Sequence, residues 1–271
     1  MYNLNPNESI ESIFSEIYHL ILSSKRKIYD PWIKITEVTS FQDIDDYEID
    51  QFIDCFPFIK RERWNHISID KIEFILNASQ ILSLDIKRLA EKLLNFQGFE
   101  RLIKEIISKM GYLAITNFRF TDHSEYKNKT SQERYEVDII GLDAPYLLII
   151  DAKEWIRRSP FASLNNAANL QYQRGIALTK NPKILKNLLN KLIDSPERFK
   201  KLFEKSFPLK LIPIMVTLED NYVRLNQKQI PFVSIHQLTS FLSELEIENK
   251  KSLYYKCITI SKNIFQEKNL E

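Results

Sequence analysis

Five consecutive apolar residues, Tyr146, Leu147, Leu148, Ile149 and Ile150, run directly into Asp151-Ala152-Lys153, and no other stretch constrains the chain as much. An apolar run of that length without polar alternation reads as a strand covered on both faces, hence the centre of a sheet flanked by helices. Side chains two apart on a strand share a face, so Asp151 and Lys153 emerge together where the run ends. Taking a carboxylate and an ammonium out of water costs on the order of several kcal/mol, unless they open onto a cleft or meet a metal ion. The end of the central strand is therefore where chemistry is expected.

The surrounding pattern supplies the rest of an α/β domain. Phe99, Leu102, Ile103, Ile106, Ile107 and Met110 form one helical stripe. Glu100 stands at its edge, roughly 100° round from Phe99. Strands are expected over residues 112–120, 135–140, 146–152, 209–217 and 231–235, with a polar loop over 121–134. A helix over 164–178 presents a narrow inward line of Leu164, Ala167, Ala168, Gln171, Gly175 and Leu178, small residues with one glutamine among them. Asn181-Pro182 and Ser195-Pro196 each resemble an N-cap followed by proline at the first helical position, and a last helix is expected near 238–245. If 135–140 and 146–152 pair as a hairpin across 141–145, a tight turn is expected to keep Asp138 and Asp151 out of direct cross-strand register. They would then converge where the strands splay.

Residues 1–95 read as a mainly helical region for dimerisation or for docking a partner or DNA, 96–250 as the α/β domain, and 251–271 as a C-terminal tail. Within the first region, residues 32–38 alternate like a strand. Amphipathic helices over 68–78 and 85–94 could form a helix-turn-helix.

Only Cys55 and Cys257 are present, with no C-x-x-C, which excludes Cys-rich zinc modules and fits a reducing cytoplasm. No apolar run is long enough to cross a bilayer, so no membrane association is expected, and the polar start MYNLNPNES does not resemble a signal peptide. With four glycines and no phosphate-cradling glycine motif, nucleotide-binding loops of those types are out. The net charge of +2 hides an asymmetry. Residues 1–60 hold 5 basic and 11 acidic side chains, giving −6, and residues 153–205 hold 12 and 4, giving +8. A local basic field beside the Asp151 end suits a polyanionic partner, though a solvated lysine-rich helix face would look the same.

The stretches Glu136-Val137-Asp138-Ile139-Ile140-Gly141 and Leu148-Ile149-Ile150-Asp151-Ala152-Lys153 resemble the PD-(D/E)XK nuclease signature, closest to archaeal Holliday-junction-resolvase-like and Mrr-like members. The resemblance covers roughly residues 98–246. Val137 stands where the name-giving proline would be, and Gln171 is followed four residues later by Gly175 rather than tyrosine, unlike the RecB-type branch. It implies a restriction-endonuclease-like mixed sheet flanked by helices and a Mg²⁺- or Mn²⁺-dependent endonuclease acting on DNA in repair, recombination or defence. No sequence feature separates DNA from RNA as substrate.

In that reading Asp138, Asp151 and Glu100 hold the metal and Lys153 positions water or stabilises developing charge. Gln171 orients Lys153 or the nucleophile, and Glu136 is the fallback carboxylate. Arg157, Arg158 and Arg174 are expected nucleic-acid contacts, and His123 is the only histidine expected near the cleft. Cutting both strands implies a homodimer. The alternative is a non-catalytic nucleic-acid-binding or assembly protein that keeps the nuclease fold.

Overall fold

The computed structural model describes residues 6–24, 30–42, 44–121, 134–154, 161–220, 224–247 and 254–265. Expectations for His123, Arg157 and Arg158 lie outside the described residues. The chain divides into two compact units, Met1–Phe99 and Glu100–Glu271.

The first unit holds helices α1 (Pro6–Ser23), α2 (Asp46–Cys55), α3 (Lys71–Ile81) and α4 (Ile86–Leu93), with short strands β1 (Trp32–Lys34), β2 (Ile59–Arg61) and β3 (His66–Ile69). The strands form an antiparallel sheet in the order β1-β3-β2, so this region is not purely helical. Its core includes Phe14, Phe56, Phe58 and Phe74, with Phe14 centroids 5.0–5.7 Å from each of the others. The helix expected from residue 68 starts later. Asp70 caps α3, its carboxylate accepting the Ile72 and Glu73 amides, which leaves Ser68 and Ile69 extended in β3. The strand expected over 32–38 stops at Lys34, where a 3-10 turn (Ile35–Glu37) begins.

The second unit is the mixed α/β domain. Helix α5 (Phe96–Lys109), whose first turn carries the division, leads into β4 (Leu113–Thr121), β5 (Arg134–Asp143) and β6 (Tyr146–Lys153). Helices α6 (Phe161–Lys180), α7 (Pro182–Leu192) and α8 (Pro196–Lys205) follow, then β7 (Leu209–Thr217), β8 (Phe232–Ser234), α9 (Leu238–Ile247) and β9 (Ile258–Ile260). The sheet order is β4-β5-β6-β7-β8. β4, β5 and β6 are joined antiparallel, whereas β7 and β8 run parallel to β6, β7 being reached through the α6–α8 crossover. β9 falls in the segment expected to be a tail, and it adds antiparallel to the first residues of β7.

β6 is buried along Tyr146 to Ala152, as its composition requires of a central strand. Helix α6 packs closely over one face because Gly175 has no side chain. A Cβ there would stand 3.0 Å from Ile258 Cδ1 and Leu211 Cδ2 and 3.1 Å from Ile149 Cδ1. Gly175→Val is therefore expected to destabilise by about 1–3 kcal/mol through overpacking. Gly175→Ala should stay nearer neutral, because a gain of about 1 kcal/mol in helix propensity offsets the crowding. The check is the urea midpoint of each variant; an unchanged midpoint in Gly175→Val would show that α6 is not held at this separation. On the loop side, α7 and α8 do begin at Pro182 and Pro196. The Asn181 side chain does not cap α7 and instead donates to the Ala177 carbonyl.

Candidate active site

The β5–β6 hairpin sets the first part of the site. Its turn is tight, pairing Asp143 with Tyr146, and the ladder runs to Ile139 and Ile150. One step further the same register places Asp138 opposite Asp151, so the tight turn aligns the two aspartates rather than separating them. The difference comes from the length of β5, which does not end at Ile140 but continues to Asp143 and carries the register with it. At that level a side chain takes over from the ladder. Asp138 Oδ2 accepts the Ala152 amide at 2.9 Å. Across the β4–β5 ladder, between the pairs Thr116–Ile139 and Phe118–Val137, stands Asn117, whose φ of 55° is left-handed. Asparagine tolerates that conformation better than most residues, and no pattern in the sequence announces it.

The end of β6 and the inner face of α6 supply the second part. Asp151 is 2% exposed. Lys153 Nζ lies 2.7 Å from its Oδ2, and Arg174 Nη1 lies 2.7 Å from its Oδ1. The Lys153 contact is close in distance but poorly aligned, and among the described residues the buried Oδ2 has no hydrogen-bond donor. The same Arg174 nitrogen donates at 2.8 Å to Gln171 Oε1. Gln171 is fully buried, and its Nε2 has no partner among the described residues. Arg174, expected as a nucleic-acid contact, is held here on the Asp151 carboxylate. The available signal was the spacing of Gln171 and Arg174, which puts both toward one side of α6.

Glu100 is the third carboxyl, 5% exposed rather than solvated at the edge of its stripe. Its burial follows from the close passage of α5 over β5. A Cβ at Gly141 would stand 3.0 Å from Ile107 Cδ1. Burial, reinforced by the charges of Asp138, Glu136 and Asp151, pushes the Glu100 carboxyl up to about 7, against the pull of Lys153. Asp138 is also raised, by burial first and then by Asp151; the Ala152 amide, Lys153 and Arg174 act in the other direction. Glu136, the fallback carboxylate, is instead paired with Arg119 at 2.9 Å on an exposed part of the sheet.

The raised Glu100 pKa has a stability consequence of definite sign. The folded state holds a proton that the unfolded chain has released, so the associated stabilisation is complete below the ordinary value of 4.5 and is lost as pH rises through about 7. Metal-free protein is therefore expected to lose thermal stability between about pH 4.5 and 7 and to level off above, and Glu100→Gln is expected to flatten that decline. Parallel melting curves for the two proteins across this range would contradict the assignment.

The donor set bears on metal binding. Asp138 and Asp151 offer hard carboxylate oxygens side by side, one of them buried without a hydrogen bond among the described residues, and the mutual repulsion that adds to burial in raising Asp138 and Glu100 is what a cation relieves. Among the described residues, however, no three His, Cys, Asp or Glu side chains are grouped closely enough to hold a metal ion. The residues fit a cation held directly by two carboxylates and otherwise by water, a manner suited to Mg²⁺ or Mn²⁺. Glu100 is not part of a preformed three-carboxylate set.

The structure thus brings together Asp138, Asp151, Lys153, Gln171 and Arg174, with Glu100 near enough to feel their charges. Cys55 and Cys257 are free, and no described helix is long and apolar enough to cross a membrane.

No family model and no curated protein matches the sequence. Among solved structures, the crystal structure of protein VC1899 from Vibrio cholerae aligns with 88% of this chain and 52% of its own, at 10% identity and a TM-score of 0.32. The chain spans about half the length of that protein, and a likeness so slight says nothing about activity.

Proposed function

We propose that this chain is a metal-dependent endonuclease that hydrolyses phosphodiester bonds in DNA, using a PD-(D/E)XK arrangement of Asp138, Asp151 and Lys153. The observation that carries the reading is the meeting of two aspartates at one level of the β5–β6 hairpin, with the Lys153 ammonium 2.7 Å from one of them. A divalent cation held there would polarise the scissile phosphate and acidify a water molecule. Lys153, partly exposed beside Asp151, is placed to meet negative charge that develops on the phosphate. Gln171 Nε2, buried and without a partner among the described residues, is a further donor on the helix that carries Arg174. The proposal includes a homodimer, since cutting both strands of a duplex asks for two such sites.

A second reading, a non-catalytic DNA-binding protein on the same fold, draws on a specific observation. Lys153 and Arg174 already neutralise Asp151, and among the described residues no three-ligand group stands ready for a metal. One panel separates the two: duplex, single-stranded, flap and four-way-junction DNA, with RNA counterparts, incubated with Mg²⁺ or Mn²⁺. The endonuclease reading expects cleavage of at least one substrate that EDTA stops. Binding without cleavage of any substrate favours the second reading.

A further inference from the structure

The orientation of Arg174 has no obvious place in a metal site, because it sits on a ligand oxygen. One Nη1 serves both Asp151 Oδ1 and Gln171 Oε1, at 2.7 and 2.8 Å. That nitrogen carries two hydrogens, so both are spent. Among the described residues its Nε and Nη2 hydrogens have no partner, and the side chain is 22% exposed. An arginine in this position can satisfy a buried carboxylate with one nitrogen while its other donors remain available to an anion. Gln171, fully buried with an unpartnered Nε2, marks the same spot as one where a polar group is still missing.

We propose that Arg174 is a place-holding counter-ion. It neutralises Asp151 while no divalent cation is bound, and it transfers from Asp151 Oδ1 to a substrate phosphate when one binds. The proposal rests on the nuclease reading above and adds a coupling to it. A cation and Arg174 compete for one carboxylate oxygen, so binding of the cation frees a guanidinium fork for phosphate. By linkage, phosphate that captures Arg174 clears the oxygen for the cation. Removing a competitor of like charge should tighten metal binding by itself. The place-holder role predicts something further, that part of the cooperation between metal and DNA disappears with the arginine. Gln171 is the pivot, since its Oε1 stays bonded to Nη1 only while Arg174 points inward.

The test uses the full chain and a duplex oligonucleotide at fixed ionic strength, with Ca²⁺ as a hard divalent cation intended to bind without supporting cleavage. Mn²⁺ binding is followed from the spectrum of the free ion, and DNA affinity is measured with and without Ca²⁺. In wild-type protein Ca²⁺ should tighten DNA binding. In Arg174→Met, Mn²⁺ should bind about 3- to 10-fold tighter without DNA, while the strengthening of DNA binding by Ca²⁺ should fall by about 5-fold or more. Arg174→Lys keeps a cation but not the fork and should retain part of the coupling; it also serves if the methionine variant does not fold. Equal coupling in wild type and both variants overturns the place-holder role while leaving the nuclease reading intact. A wild-type protein that binds no Mn²⁺, with or without DNA, overturns both.

Discussion

Asp151→Asn and Lys153→Ala are each expected to lower Mg²⁺-dependent DNA cleavage by at least about 10²-fold, the scale of removing one preorganised group from a site that stabilises developing charge. Asparagine keeps the shape of Asp151 but removes the charge that Lys153 and Arg174 share, both within 2.7 Å of it. The variant should therefore be somewhat less stable without metal, though the two cations are 22% exposed and water screens part of that loss. Lys153→Ala leaves Asp151 paired with Arg174 and should cost less stability while losing as much turnover. Single-turnover cleavage by folded variants, checked by urea melts, is the measurement. Turnover like that of wild type in either would remove Asp151 and Lys153 from the site.

The second large effect concerns DNA binding by the crossover helices. In α7 the leucines Leu185, Leu188, Leu189 and Leu192 are buried, leaving Lys183, Lys186 and Lys191 exposed on the other face; Lys201 and Lys205 are exposed on α8. Each phosphate contact contributes a salt slope of about 0.9, worth up to roughly one decade of affinity at 0.1 M relative to 1 M salt. Replacing Lys183, Lys186, Lys191 and Lys201 by alanine is expected to weaken DNA binding by about 10²- to 10³-fold at 0.1 M salt and to flatten the slope by up to about 3–4 units. Arg157→Ala with Arg158→Ala should take off up to about two more, equally for all sequences. Affinity and slope are read together by titrating salt. An unaltered slope in the four-lysine variant would make this face a solvated helix surface and nothing more.

The parts of the site legible from the chain alone were those governed by neighbours in sequence. A run of buried β-formers ending in Asp151-Ala152-Lys153 can hardly be anything but a central strand opening onto a polar end, and the burial of β6 follows from it. Likewise the small inward face of α6 required close packing, and Gly175 shows how close. The short strands β2, β3 and β9 were illegible, because their stability comes from the partner strand and hardly from their own pattern. β9 exists because the first residues of β7 have an open edge beside them.

What sequence determined by itself is therefore the identity of the chemical groups and the strand that carries them: two aspartates, a lysine, a glutamine-bearing helix, and a basic stretch after it. Tertiary structure alone decided how those groups are poised. The register of the hairpin, extended to Asp143, set Asp138 level with Asp151. The close passage of α5 over β5 turned Glu100 from an edge residue into a buried carboxyl whose pKa is pushed up to about 7. The approach of α6 brought Arg174 onto a carboxylate 23 residues earlier in the chain. Periodicity reports which face of an element is buried, but burial of a charge and the choice of its partner depend on which surfaces meet. Those are set by contacts between segments far apart in sequence, where desolvation and Coulomb terms of several kcal/mol, on the order of the whole stability of a domain, oppose each other.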